Sequence, residues 1–214
     1  MAEYHNIRTP LGELMYVNIN GKGVQNYDGD GYEYKASIKL PKKQAKKLEK
    51  EILDYFNENK PSSYKKDEPA NKIMQKLDDG DYLFTFKTKT EFTDKDGNVK
   101  KVKVRLYNAK NEEKELPDGT LIGNGSKGVI RASLKTYTNG KGKSQTAGVS
   151  MFLNAIQLAK FVPYVPDSGF DEIEDGEFED FDNPDFPTDE KPKKSKKKDK
   201  KKDKKKDKKK KSKE

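Results

Sequence analysis

The sequence predicts a mainly β domain, a small closed antiparallel barrel with one main amphipathic helix, followed by two disordered, charged C-terminal tails. Three observations carry that expectation. Apolar residues alternate at period two in several stretches divided by glycine- and asparagine-rich turns. Only residues 42–58 repeat their apolar positions at strong helical spacing. The charge is also divided: the net +9 of the 214-residue chain splits into +8 over 1–166, −12 over 167–190 and +13 over 191–214. A globular domain of 1–166 with an acidic tail (167–190) and a lysine-rich tail (191–214) follows from that division.

Leu11 to Asn20 sets Met15, Val17 and Ile19 against Leu14, Tyr16 and Asn18, a first strand. The turn Asn26-Tyr-Asp-Gly-Asp-Gly31 leads to a second, in which Tyr32, Tyr34, Ala36, Ile38 and Leu40 face inward. Pro41 ends it and opens the helix, whose apolar positions are Ala45, Leu48, Ile52, Leu53 and Phe56. Lys42, Lys43, Lys46 and Lys47 fit a solvated face of that helix. A loop over 60–69 and a short helix over Asn71–Leu77 come next. Tyr82–Phe92 and Val99–Tyr107 form a hairpin around Thr93–Asn98. In its second arm Val102, Val104 and Leu106 face in, while Lys101, Lys103, Arg105 and Tyr107 face out with Lys87 and Lys89 of the first arm.

After charged turns over 108–120, Val129–Tyr137 repeats the pattern: Ile130, Ala132, Leu134 and Thr136 inside, Arg131, Ser133, Lys135 and Tyr137 outside. Ser150–Asn154 is expected as a helical turn and Ala155–Val162 as the last strand. Five or six antiparallel strands with one intervening helix fit the OB-fold, whose closure hides strand edges and whose outer face binds oligonucleotides.

The chain has no cysteine and a single histidine, His5. Disulfides, thiolate zinc sites and most histidine chemistry are thereby excluded. No apolar run approaches the roughly 20 residues of a membrane helix, and the N-terminus carries no apolar leader segment, so a soluble cytoplasmic protein is expected. Gly123-Asn-Gly-Ser-Lys-Gly128 spells GxGxxG, but a strand pattern follows where pyrophosphate binding needs a helix. Gly140-Lys-Gly-Lys-Ser144 lacks the first glycine of a P-loop, because Tyr137 stands there. Asp28–Gly31 and Asp94–Asn98 are turns between strands rather than calcium loops. No carboxylate, serine or histidine constellation supports catalysis, so no enzyme, cofactor or metal is expected.

Two strands with a basic, aromatic outer face suit a polyanion carrying flat bases. Lys87, Lys89, Lys101, Lys103, Arg105, Arg131 and Lys135 are the candidate phosphate contacts, joined by Lys141 and Lys143 in the glycine loop. Tyr107 and Tyr137 are the candidate stacking rings, with Tyr16 a third.

Thr9-Pro10, the run Tyr34-Lys-Ala-Ser-Ile-Lys-Leu-Pro-Lys42 and the closing block Gly148-Val-Ser with Leu153-Asn-Ala-Ile-Gln157 carry a resemblance. Over most of residues 8–162 the chain resembles the single-stranded DNA-binding proteins of tailed bacteriophages. The resemblance implies an OB-fold protein that coats and protects single-stranded DNA in replication, recombination and repair. It also implies an acidic tail that recruits replication or recombination proteins and competes with DNA for the groove. Phe170, Phe178, Phe181 and Phe186 stand among the carboxylates of the matching segment. The chain departs from the pattern in that the lysine run follows the acidic segment. That run could pair with the acidic segment, bind DNA or solubilise the chain. A protein-interaction adaptor acting through the tails is the alternative function, and a homodimer is left open.

Overall fold

The structure, a computed structural model, describes residues 4–117, 120–140 and 144–165. Its strands are β1 (His5–Arg8), β2 (Gly12–Asn18), β3 (Val24–Gln25), β4 (Tyr32–Leu40), β5 (Gln75–Lys76), β6 (Tyr82–Lys89), β7 (Glu91–Thr93), β8 (Val99–Lys101), β9 (Arg105–Tyr107), β10 (Glu113–Lys114), β11 (Ser126–Asn139) and β12 (Thr146–Lys160). One helix, α1 (Lys42–Asn59), lies between β4 and β5. The predicted tails, with Phe170, Phe178, Phe181 and Phe186, lie outside the described residues, as do Lys141 and Lys143.

The mainly β expectation with one helix holds. Pairing runs from β11 to β2, β4, β6 and β12, and from β12 back to β11. Every seam of that circuit is antiparallel except β6–β12, which is parallel and carries one registered pair, Lys87 with Phe152. The sheet is therefore ring-like and not closed, where sequence predicted a closed antiparallel barrel. β1 adds to the outside of β11, and β9 runs parallel to β12 at Ala155–Gln157.

Inward side chains fill the ring. Leu14, Ile38, Leu40, Phe84, Phe86, Ile130 and Leu134 are fully buried. On α1, Ala45, Leu48, Ile52, Tyr55 and Phe56 form the buried stripe that their spacing predicts. Small polar groups lock the seams. Thr9 donates its N–H to the Ile130 carbonyl and accepts the Ile130 N–H on Oγ1, both at 2.9 Å. Ser126 Oγ likewise accepts from the Val162 N–H and donates to its carbonyl.

Several expectations fail for identifiable reasons. Alternation in the first strand breaks at Tyr16, whose φ of +51° and the pairing shift between Met15 and Asn18 mark a bulge. Leu14 and Val17 both point inward as a result. The arm expected as Val99–Tyr107 is two strands. Val102 turns its N–H to the Thr90 carbonyl, so β8 pairs with β7 alone while β9 joins β12. No helix forms over 71–77; Gln75 and Lys76 instead pair with β6. β12 is one continuous strand through the helical turn expected at Ser150–Asn154. β1 carries no apolar alternation and was absent from the sequence expectation.

Candidate nucleic-acid interface

β11 and β12 position the site. On the side of β11 away from the core, Arg131 and Tyr137 are exposed and Lys135 is half-buried, whereas Ser133, expected outside with them, is buried. Opposite Ser133 on β12 is Phe152, and opposite Lys135 is Ser150. A bulge follows: Ala132 pairs with Leu153 but Arg131 with Ala155, leaving Asn154 as the extra residue. Such an insertion bends the strand and re-aims a side chain.

Two adjoining clefts lie along this pair. In the first, Arg8 of β1 and Arg131 of β11 stand directly opposite each other in register, with Tyr107 and Gln157 beside them. Side chains so paired have Cβ atoms about 4.5–5.5 Å apart, and like charges there repel. Neither guanidinium has a carboxylate within 4.0 Å among the described residues. Arg8 Nη2 donates to the neutral Gln157 Oε1 at 3.0 Å, and Gln157 Nε2 donates to the Asn108 carbonyl. Two other cross-strand cation pairs differ: Glu33 holds the Lys87 ammonium of the Lys35–Lys87 pair at 2.7 Å, and Lys127, opposite Lys160, has Glu13 opposite it on its other side. An unrelieved pair of guanidiniums is a place prepared for an anion.

The second cleft is aromatic. Tyr4 meets Phe152 edge-on, with ring centres 6.1 Å apart, and Phe92 and Lys89 complete the walls. Phe92 is 51 % exposed at the base of the β7–β8 hairpin. Lys135 lies over the Tyr4 ring at 5.4 Å.

Of the predicted residues, Arg131, Tyr107, Lys135 and Lys89 come together in or beside these clefts, and Arg105 neighbours Tyr107 on β9. Arg105 donates a hydrogen bond to the Tyr107 oxygen, which holds its guanidinium above its ordinary pKa. Lys87 faces the same side but is engaged by Glu33. Tyr137 is 40 % exposed and leans across Gly148, at the far end of β11. Lys101 sits on the separate β7–β8 hairpin. Lys103 is turned to Glu115 at 2.6 Å, beside Glu113. That contact raises the Lys103 pKa and lowers that of Glu115. Tyr16 lies where β2 meets the 123–125 loop, its N–H donating to Asn124 Oδ1. Lys103, Lys101 and Tyr16 line neither cleft.

Sequence reasoning missed Arg8, Tyr4, Phe152 and Phe92. Arg8 ends a strand with no periodic signal, and Tyr4 immediately precedes it. Phe152 fell within the segment taken as a helical turn, whereas β-strand alternation from Ser150 would have set it outward with Lys135 and Ser133.

The fold is similar to that in the crystal structure of gp2.5, a single-stranded DNA binding protein encoded by bacteriophage T7. The TM-score is 0.56 at 21 % identity, over 78 % of this chain and 92 % of that one. The single-stranded DNA-binding protein from bacteriophage Enc34 in complex with ssDNA gives a TM-score of 0.48 at 13 % identity, over 75 % and 89 %. No protein-family model and no curated protein matches the sequence.

Proposed function

We propose that the chain is a non-enzymatic single-stranded DNA-binding protein that lays an unpaired strand across the outer side of β1, β11 and β12. The observation that carries this reading is the facing pair Arg8 and Arg131, which no carboxylate among the described residues relieves, set beside the aromatic cleft of Tyr4, Phe152 and Phe92. Phosphates neutralise the guanidiniums, and bases stack on the rings with little regard to sequence. A duplex keeps its bases stacked on each other, so the aromatic cleft favours unpaired strands. The shared fold with a phage protein that binds single-stranded DNA supports the same reading.

On this reading the protein coats and protects single-stranded DNA during phage replication, recombination and repair. The acidic segment 167–190 recruits replication or recombination proteins. No described helix is long and apolar enough to cross a membrane. Competition among short single-stranded DNA, single-stranded RNA and duplex of equal length is the test. Preference for the unpaired DNA, lost steeply with added salt, is expected. Equal binding of duplex would remove the role given to the aromatic cleft. No binding in dilute buffer would reject the reading and leave the tail-based adaptor.

A further inference from the structure

We infer that the aromatic cleft is a slot for one base, and that Asn154 reads that base, giving an otherwise sequence-tolerant surface a preference for adenine at one position. The inference rests on the single-stranded DNA reading and extends it.

The bulge makes Asn154 the one residue of β12 there without a cross-strand partner, and its side chain lines the same cleft as Phe92, Phe152 and Tyr4. A relay fixes the amide. Asn154 Nδ2 donates to Ser133 Oγ, and Ser133 Oγ donates to Asn6 Oδ1 at 2.8 Å. Ser133 is 8 % exposed, so this anchor is shielded from water. One Nδ2 hydrogen is used in the relay. The other, with Oδ1, has no partner among the described residues, leaving one donor and one acceptor toward the cleft. A planar amide presenting that pair suits adenine, which offers N7 as acceptor and its N6 amino group as donor. Stacking on an exposed ring face holds the base, and the amide meets its edge. A general stacking platform has no need of an oriented, pre-bonded amide; a slot that tells bases apart does.

The probes are an oligo-dT, the same oligomer with one central dA, and a third with 7-deazaadenine at that place, each in competition against the full chain. The dA oligomer is expected to bind about fivefold tighter than oligo-dT or more, the lower end of a bidentate base contact. The 7-deaza base should lose most of that gain. Asn154→Leu, similar in volume, should abolish the difference between the dA oligomer and oligo-dT. Ser133→Ala, which frees the amide, should diminish it in a chain whose buried hydroxyl alone has been lost. Equal binding of dT and dA oligomers overturns the inference and leaves single-strand binding standing. A dA preference that survives Asn154→Leu also overturns it. Failure of every oligomer to bind removes the single-stranded DNA reading and the slot with it.

Discussion

Removing the two facing guanidiniums separates a designed anion site from a generally basic surface. Arg8→Ala and Arg131→Ala each delete one cation from the first cleft, whereas Lys103→Ala deletes one that Glu115 already holds at 2.6 Å. Each phosphate contact with a single strand contributes about 0.7 to the slope of log affinity against log salt. Each arginine variant should therefore flatten the slope by about 0.7, and the double variant by about 1.4. Between about 50 and 200 mM salt, a fourfold change, those slopes correspond to losing about 2.6-fold and about 7-fold of the salt sensitivity. Lys103→Ala should leave the slope unchanged. The measurement is an oligo-dT titration followed by fluorescence at four or five salt concentrations. Without DNA, either arginine variant relieves repulsion between side chains directly opposite each other, so its thermal midpoint should not fall. Equal slope changes in all three variants would refute the reasoning, because proximity of unrelieved charge would then carry no more weight than net charge.

Phe152→Ala removes the ring facing Tyr4 and should weaken oligo-dT binding by about 1–3 kcal/mol at any salt, with the salt slope unchanged; the same titrations check it. Gly128→Ala would place a Cβ 2.5 Å from the Gln157 carbonyl oxygen and 2.9 Å from Leu14 Cδ1. Because the first of those is backbone, about 1–3 kcal/mol of stability should be lost, lowering the thermal midpoint by about 5 °C. Asp94 is held below its ordinary value of 3.8 first by its hydrogen bond to Lys100 and then by the Asn98 N–H. A depressed carboxylate stabilises the fold above its unfolded pKa, and that contribution disappears as pH falls through the lowered one. Protection factors of the β7–β8 amides, corrected for intrinsic exchange at each pH, should accordingly fall below about pH 3.8.

Much of the fold was legible because two signals are local. The stripe Ala45, Leu48, Ile52 and Phe56 needs only one helix with a buried side, and α1 ends one residue from its predicted boundary. Ile130, Ala132 and Leu134 alternate because a single pleat separates core from solvent, and all three are fully buried. What failed depends on partners distant in sequence. Tyr16 inverts the pattern of β2 through a bulge whose geometry is set jointly with β4 and the Asn124 amide. β1 exists because Thr9 is fastened to Ile130 across 121 residues, and four residues carrying Ile7 alone as a buried aliphatic give no periodic sign of it.

The site shows the same division with a sharper consequence. Sequence gives the side of a strand on which a lysine lies, but not which carboxylate folding brings beside it. Lys87 and Lys103 look as available as Arg131 when β6, 102–104 and β11 are considered singly. In the folded chain Glu33 and Glu115 reach the two lysines, and among the described residues no carboxylate comes within 4.0 Å of Arg131. Phosphate must displace a partner at the lysines, while at Arg8 and Arg131 it relieves a repulsion already present. The cations most able to bind a strand are thus those the fold leaves facing each other, and that quantity is not contained in the number of basic residues.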